Sequence, residues 1–160
     1  MSDFRVGLGV DAHALADGVP LVLGGVPIEH PRGLVGHSDG DVIAHALVDA
    51  LLGAVNQGDI GTLFPSDDPA LEGINSLHML RRAYERVTAE GYELVNADCV
   101  LIGEEPRIQD LRSEMAEALA GALGVDGALV AVSATTTDRL GFTGLGEGLA
   151  AQAVVLLARR

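Results

Sequence analysis

The chain has 160 residues, of which 48% are hydrophobic and 21% are charged, and its formal net charge is −13 at pH 7. This size and composition predict a folded protein with a single domain, residues 1–160, and exclude a disordered chain. The acidic balance argues against a nucleic-acid partner, and no apolar run reaches the ~18 residues that cross a bilayer.

All ten basic residues are arginine, and lysine is absent. The chain therefore has no residue for a lysine Schiff base, a lysine general base or a Walker-type phosphate loop. Cys99 is the only cysteine, which excludes an internal disulfide. Asp3 stands near the N-terminus, where a secretory signal has basic residues. We therefore expect a cytoplasmic protein that does not contact a membrane.

The first half of the chain predicts a strand, a hairpin, a helix and a long loop. Alternation over residues 4–13 predicts the strand, and the Gly- and Pro-rich residues 16–33 predict a small hairpin followed by a loop. Residues 39–56 have helical spacing. Residues 56–75 are rich in turn formers and too long for a simple connection, so we expect a functional loop there.

The second half alternates helices and strands. The predicted elements are a helix at 76–90, capped by Asn75 or Ser76, a strand at 93–103, a helix at 108–124, a strand at 128–137, a Gly-rich loop at 137–148 and a final buried strand at 149–158. A helix is the less favoured alternative for the last segment. This order predicts an α+β (α/β layer) fold, a single sheet with helices packed on it.

The helix predicted at 39–56 carries polar residues beside its apolar stripe. Ser38 and Asp41 have the spacing of an N-terminal capping box. His45 shares one stripe with Asp41 and Asp49, four residues away on each side. Buried polar groups need partners, so we expect one of these aspartates to accept the second ring N–H of His45. The core stripe is formed by Ile43, Leu47, Leu51 and Ala54.

Asp11 and His13 end the first predicted strand with the i, i+2 spacing that places both side chains on one face. Such a pair alone is often a capped strand end with an exposed histidine. Together with His45 it supplies two nitrogens and one oxygen, a common zinc ligand set that leaves a fourth position for substrate. A histidine held between two aspartates without metal is the alternative explanation of His45.

Two further segments suit an anionic ligand. His37 and Ser38 precede the helix, where free backbone N–H groups and the helix dipole attract anions; an ordinary serine cap is the alternative. Residues 135–138 follow a strand, and their hydroxyls and carboxylate suit phosphate with a hard cation such as Mg²⁺, although a threonine run is also typical of plain strands. With Asp59, these segments predict a site for metal and phosphate.

Four motifs resemble, in the same order, those of the 2-C-methyl-D-erythritol 2,4-cyclodiphosphate synthase family: VDAH, HSDGDVIAHAL, GDIG with LFPSDDP, and ATTTDRLGFTGLGEG. The resemblance covers essentially the whole chain. It implies a lyase of the non-mevalonate isoprenoid pathway and a homotrimer with helices on one face of each sheet. The active sites of such a trimer lie between adjacent subunits, and its threefold side would bury the segment AAQAVVLLA, residues 150–158.

The implied reaction is an intramolecular phosphoryl transfer. The 2-phosphate of 4-diphosphocytidyl-2-C-methyl-D-erythritol 2-phosphate attacks the β-phosphate, closes the cyclic diphosphate and expels CMP. Family positions make Asp11, His13 and His45 the ligands of Zn²⁺ (or Mn²⁺), and place Asp138 at Mg²⁺ (or Mn²⁺) bridging the substrate diphosphate. His37 and Thr136 occupy the positions that stabilise the transition state.

The resemblance also implies a set of substrate contacts. The phosphorylated end and ribose are contacted by Ser38, Asp59, Ile60 and Gly61. The methylerythritol loop consists of Phe64, Pro65, Ser66, Asp67 and Asp68. The loop that reads cytosine consists of Gly103, Glu104, Glu105, Pro106, Arg107, Ile108 and Gln109. Thr135, Thr137 and Phe142 complete the set.

Three positions depart from the family pattern. Ser66 replaces an aspartate that contacts the diol, and Asp138 replaces a glutamate and is one methylene shorter. Leu145 stands where an arginine often helps to bind prenyl diphosphates along the trimer axis, so no such binding is expected here, although Phe142 and Glu147 are present.

Two other functions fit some of these residues. A zinc hydrolase could use Asp11, His13 and His45 to activate water for attack on a phosphoester. A trimeric protein that only binds isoprenoid diphosphates is the second alternative; Leu145 and the intact metal motifs speak against it.

Overall fold

A computed structural model describes residues 3–160, so Met1 and Ser2 of the predicted domain lie outside the described residues. The strands are β1 (Phe4–Asp17), β2 (Leu21–Leu23), β3 (Val26–Ile28), β4 (Arg32–Leu34), β5 (Tyr92–Ile102), β6 (Val130–Thr135) and β7 (Gly148–Arg159). The helices are α1 (Val42–Ala54), α2 (Ile60–Leu63), α3 (Ser76–Ala89), α4 (Arg112–Leu123) and α5 (Gly141–Gly144). Within residues 3–160, no helix has the length and apolar character needed to cross a membrane.

Five strands form one mixed sheet in the order β4-β1-β7-β5-β6. β7 pairs antiparallel with both β1 and β5, and β6 is parallel to β5. The hairpin β2–β3 forms a separate two-stranded unit. The predicted α+β architecture, with helices packed on one face of the main sheet, is confirmed.

Element types were predicted well, and element ends less well. β1 continues four residues beyond the predicted end, because its last residues pair with β4. Residues 149–158 form a strand, as the preferred interpretation held. The predicted helix at 108–124 begins with a 3₁₀ turn, Gln109–Leu111, and ends at Gly124 in the left-handed conformation that glycine adopts readily.

Helix α1 lies directly on β1, and two glycines make this contact close. A Cβ on Gly7 would collide with the carbonyl oxygen of Ala50, and a Cβ on Gly9 with that of Ala46. Eleven of the thirteen residues of α1 are buried, the predicted stripe among them. The helix is therefore buried nearly all round, and its position above the strand is fixed by backbone contact.

Asp41 is the N-cap of α1, so the predicted capping box between Ser38 and Asp41 is wrong. Its fully buried carboxylate accepts hydrogen bonds from the N–H groups of Ala44, Gly24 and Gly25 at 3.1, 2.9 and 2.7 Å. The two glycines form the β2–β3 turn with positive φ of 57° and 76°. Asp41 thus ties this hairpin to the start of α1, and it does not contact His45 through its side chain as the sequence had suggested.

Replacing Asp41 with asparagine is expected to lower the free energy of unfolding by about 2–3 kcal/mol. Burial raises the pKa of Asp41 to about 6, opposed by its backbone hydrogen bonds, so at pH 7 the ionised group offers acceptors alone. An asparagine amide would turn a donor toward one of three backbone donors. Urea unfolding at pH 7 and fixed protomer concentration measures the change. Asp126→Asn, at an exposed cap that asparagine serves equally well, should stay within 0.5 kcal/mol; a similarly small change for Asp41→Asn would contradict the assignment.

The sheet face opposite α1 exposes a row of apolar side chains. Phe4, Val6, Leu8 and Val10 alternate along β1 with 54–68% exposure, and Val154, which pairs with Leu8, is 45% exposed. The other face of β7 packs inside the chain, where Ala151, Ala153, Val155 and Leu157 are buried. Residues 150–158 therefore do not face outward as a whole, because alternate residues of a strand point to opposite sides.

Candidate active site

Three side chains meet where β1 passes the first turn of α1. Asp11 and His13 project from the same face of β1, and His45 projects from α1. Asp11 Oδ2 lies 2.8 Å from His13 Nε2 and 3.1 Å from His45 Nδ1, and the two ring nitrogens are 3.2 Å apart. These three atoms form the one cluster of potential metal ligands found within residues 3–160. The predicted triad is therefore assembled in the structure.

The opposite nitrogen of each imidazole has a partner of its own. His13 Nδ1 lies 2.9 Å from the carbonyl oxygen of Val35, an acceptor, so Nδ1 carries the proton and Nε2 presents its lone pair. His45 Nε2 lies 2.9 Å from Ser38 Oγ and 2.8 Å from Ser76 Oγ. Two ring lone pairs and a carboxylate converging on one point repel each other unless a cation lies between them. The donor set thus fits a divalent metal ion.

The electrostatics of the triad show how Asp11 and the imidazoles interact when protons, and no cation, lie between them. Burial raises the pKa of Asp11, but hydrogen bonds and charge from His13 and His45 outweigh it and hold the pKa at about 2. The hydrogen bond that His13 donates to Asp11 raises the pKa of His13, against an opposing effect of burial. Without a metal, protonated His13 and ionised Asp11 therefore form a stabilising ion pair at pH values up to at least 6.5.

Metal binding is expected to release a proton from His13, because the ligand must be the neutral imidazole. His13 has a raised pKa, so its proton is present below pH 6.5 and is lost as the pH rises through the raised value. Titration calorimetry in two buffers of different ionisation enthalpy should show more protons released per metal below pH 6.5 than above the raised pKa of His13, with weaker binding at the lower pH. Metal binding without proton release below pH 6.5 would contradict His13 as a ligand.

A cavity of about 250 Å³ opens beside the triad. Its walls include Asp11, His13, His37, Ser38, His45, Ile60, Gly61, Phe64 and Ser66. All nine of these residues were predicted from the sequence as metal, catalytic or substrate positions, and one of them, Ser66, departs from the family pattern. The pocket therefore opens on the three atoms that could hold a metal ion.

The loop over this cavity is more ordered than a simple connection. Asp59 caps α2 and accepts hydrogen bonds from the Thr62 N–H and hydroxyl, which lower its pKa. Asp49 accepts the N–H of Ile60 at 2.7 Å, so it anchors this loop and is not the partner of His45. His37 Nε2 donates to the carbonyl oxygen of Asp68 at 3.1 Å and ties the far end of the loop to the site.

Phe64 is 6% exposed and packs under the Arg82 guanidinium, so most of its ring belongs to the core. Pro65 and Asp67 are exposed and line none of the cavities described in residues 3–160, whereas Asp68 caps the 3₁₀ turn at Pro69–Leu71. Among the residues of the predicted methylerythritol loop, Phe64 and Ser66 therefore line the cavity.

The predicted cytosine loop forms a second, separate cavity of about 220 Å³. Its walls are Gly103, Glu104, Pro106, Arg107, Ile108, Gln109, Arg112, Ala134, Thr135 and Thr136. Ile108 is 1% exposed, so this residue belongs to the buried base of the cavity. Glu105 faces a neighbouring cavity with Arg32 and Arg139. The structure therefore brings six of residues 103–109 to the same cavity as Thr135 and Thr136.

The two cavities share no residue and lie apart within the chain. Thr135 pairs with Ile102 on β5, Ile102 with Ala150 on β7, and Ala150 with Ala12 on β1. Three strand spacings of about 4.8 Å separate Thr135 from the metal triad, a distance of roughly 14 Å along the same end of the sheet. One chain holds both halves of the predicted site but does not bring them together.

The segment after β6 is strained. Asp138 and Arg139 have φ of 51° and 66°, the left-handed region that favours glycine. The Arg139 N–H donates to Glu104 Oε1 at 2.8 Å, and Thr137 Oγ1 donates to the carbonyl oxygen of Leu140. Asp138 is exposed and lies outside both cavities, and Phe142 and Leu145 are 46% and 68% exposed. These contacts hold the strained turn against the nucleotide loop.

Sequence reasoning missed the residues that support the site. Ser76 was considered only as a helix cap and Asp39 only as a helix start; the structure places both behind His45. Arg112 joins the wall of the nucleotide cavity from the first residue of α4. The available signal was a serine and an aspartate that lie at the starts of helices without acting as their caps.

Comparison with known proteins places these features in one family. The YgbB family model matches residues 4–158. A curated 2-C-methyl-D-erythritol 2,4-cyclodiphosphate synthase of Rubrobacter xylanophilus is 56% identical over 162 residues, covering 99% of this chain and 98% of that protein. One from an Azoarcus species is 54% identical over 156 residues, covering 98% and 96%.

Solved structures give the same result. The bifunctional IspDF of Campylobacter jejuni matches 98% of this chain with a TM-score of 0.94 and 41% identity, and this chain spans 42% of that protein's length. The Plasmodium falciparum IspF, solved as a CDP complex, matches with a TM-score of 0.86 and 31% identity, covering 100% of this chain and 99% of that one.

Proposed function

This chain belongs to the YgbB family, and from that membership we propose that it converts 4-diphosphocytidyl-2-C-methyl-D-erythritol 2-phosphate to 2-C-methyl-D-erythritol 2,4-cyclodiphosphate with release of CMP. The observation that carries the proposal is the convergence of Asp11, His13 and His45 at the cavity that also exposes His37 and Ser38. The relatives that share nearly the whole length of the chain bear the name of this synthase.

The reaction depends more on the alignment of the two phosphates than on proton transfer by the protein. The attacking 2-phosphate oxygen is already anionic, so no general base is required, which suits a chain without lysine. Holding the two phosphates in line inside a closed pocket supplies most of the acceleration. The bond from the 2-phosphate oxygen to the β-phosphorus forms, the bond to CMP breaks, and no water enters. The reaction class is therefore that of a phosphorus–oxygen lyase.

The triad can hold a divalent metal, and we assign Zn²⁺ or Mn²⁺ to it. A divalent cation bound there supplies Lewis-acid polarisation of a phosphoryl oxygen. The Val35 carbonyl leaves the Nε2 lone pair of neutral His13 facing that point, and His45 presents Nδ1 to it. Asp138, at the strained turn, is assigned to Mg²⁺ or Mn²⁺ on the substrate diphosphate.

His37 and Thr136 are proposed to stabilise the transition state from opposite halves of the site. His37 lines the metal cavity and Thr136 the nucleotide cavity. Gly103 to Gln109 bind cytosine through backbone groups, which the buried side chain of Ile108 supports. Asp59 and Gly61 are assigned to the ribose, and residues 64–68 to the methylerythritol chain.

The protein is proposed to be a cytoplasmic, single-domain subunit of a homotrimer whose active sites lie between subunits. Two features support the trimer: the apolar row Val6, Leu8 and Val10 with Val154, and the separation of the two cavities. A large apolar patch is typical of an interface. A neighbouring copy that covers it can bring its own nucleotide cavity to this chain's metal triad.

Purified protein given substrate, Zn²⁺ and Mg²⁺ should release CMP together with the cyclic diphosphate. CMP with an open-chain product would overturn the cyclase. Turnover in ¹⁸O-labelled water separates the two chemistries, because a zinc hydrolase places solvent oxygen in the product and the cyclase does not.

Coexpression of His45→Ala with Thr136→Ala tests the location of the site. Each variant alone should be inactive, because each lacks one half of the site. In a mixed trimer, the intact metal half of one chain can meet the intact nucleotide half of its neighbour. With equal amounts of the two chains and random assembly, about a quarter of all sites should therefore be intact and active. Activity that stays at the level of the separate variants, in assemblies shown to be mixed, would place the site within one chain.

A further inference from the structure

The ring of His45 is held on both edges, and the edge away from the metal is the better packed. His45 is 6% exposed. On that edge Nε2 meets two hydroxyls at hydrogen-bond distance, Ser38 Oγ and Ser76 Oγ. A hydroxyl can donate or accept, so a serine alone does not decide which ring nitrogen carries the proton.

Asp39 removes this ambiguity for Ser76. Ser76 is fully buried, and its hydroxyl makes a short hydrogen bond to Asp39 Oδ1, while its backbone N–H donates to Oδ2 at 3.0 Å. A carboxylate only accepts, so the single hydroxyl proton of Ser76 points to Asp39. The oxygen of Ser76 is then left to accept from His45, which requires the proton on Nε2 and leaves the Nδ1 lone pair facing Asp11 and His13.

Ser38 has a different environment. It lines the metal cavity, is only partly buried, and accepts the N–H of Gly40 at 3.3 Å. Ser38 Oγ accepts from Gly40 and His45, and the described residues place no carboxylate where it would accept the hydroxyl proton of Ser38. Ser38 can therefore turn its donor to a ligand in the cavity while Ser76 keeps hold of the ring.

We infer that Ser76 and Asp39 are the positioning residues of the metal site: they fix the tautomer and orientation of His45, and leave Ser38 for the substrate. This inference rests on the triad of the proposed function. Partners behind a metal-ligating imidazole are worth about 10–100-fold in metal affinity. We expect this loss of metal affinity when Ser76 is replaced and not when Ser38 is replaced, although both hydroxyls lie at nearly the same distance from His45 Nε2.

Zinc affinity, measured by competition with a chromogenic chelator, tests the division of roles. Ser76→Ala is expected to weaken Zn²⁺ binding about 10–100-fold, and Ser38→Ala by less than about threefold. Ser133→Ala is the matched control, because it removes the hydroxyl of a partly buried serine on β6, three strands away from the triad; its Zn²⁺ affinity should match the wild type. Equal losses for the two serine variants, or wild-type affinity in Ser76→Ala, would overturn the inference.

The Nε2–H group of His45 in the zinc-loaded protein separates positioning from mere packing. Ring ¹H–¹⁵N spectra should show a slowly exchanging Nε2–H, hydrogen-bonded to Ser76, in the wild type and Ser38→Ala, and faster exchange in Ser76→Ala. Asp39→Asn, which keeps the side-chain shape, provides a second route and should also speed the exchange. Exchange as slow as in the wild type in both Ser76→Ala and Asp39→Asn contradicts the inference. Neither readout involves CMP, so the result is independent of the proposed reaction.

Discussion

His45→Ala is expected to lose the bound metal and with it the cyclisation. The variant removes one of three ligand atoms that lie within 3.2 Å of each other, so the remaining Asp11 and His13 offer an incomplete set. Metal content should fall from about one ion per chain to near zero, and CMP release by at least ~10³-fold. Elemental analysis of the folded variant and the CMP assay measure the two effects.

His78→Ala is the matched control for this prediction. His78 is exposed on α3 and outside the cluster, so its removal should change neither metal content nor CMP release. The buried His45 also leaves a space in the core, so circular dichroism must first show that His45→Ala is folded. Full metal occupancy in a folded His45→Ala protein would refute the ligand set.

Gly9→Ala is expected to have the largest effect on stability, although it adds a single methyl group. The new Cβ would overlap the carbonyl oxygen of Ala46 and lie 2.7 Å from the backbone nitrogen of Ala50. These are backbone atoms of a buried helix and cannot rotate away. The free energy of unfolding should fall by about 3 kcal/mol, at the upper end for overpacked cores. Zn²⁺ affinity should fall too, because α1 must move away from β1 and carry His45 with it.

Gly53→Ala, on the exposed side of the same helix, has the opposite prediction. A Cβ there meets nothing within 4 Å. Alanine is the better helix former, so the variant should be more stable by about 0.5–1 kcal/mol with unchanged Zn²⁺ affinity. Urea unfolding at equal protomer concentration compares both variants with the wild type. Equal stability of Gly9→Ala and the wild type would show that α1 is not held by this contact.

Local pattern was enough to predict most of the fold. The i, i+2 spacing of Asp11 and His13 predicted that both side chains lie on one face of the strand. Gly91 and Gly124 predicted where two helices end. The metal triad followed once His45 was added to the pair. Such features depend on residues that are near in sequence, where side-chain periodicity is a direct consequence of backbone geometry.

Tertiary contacts explain what the sequence could not predict. Asp41 was expected at His45 but caps α1 and binds the turn at Gly24 and Gly25, which lie sixteen or more residues earlier. The pair Asp39 and Ser76 is separated by 37 positions. No periodicity links such residues, because their partnership arises only when β2–β3, α1 and α3 pack together.

Strand β1 has a consequence for how this protein can change during evolution. Its odd-numbered positions place Gly7 and Gly9 under α1 and then Asp11 and His13 at the metal point, while Val10 and its even-numbered neighbours face the other way. Deleting or inserting one residue in β1 before Asp11 would reverse the two faces of the strand on one side of the change. Either the valines would then point toward α1, or the metal ligands would point away from it. Homologous chains can therefore exchange residues in this strand but should keep the spacing from Gly7 to His13 free of gaps.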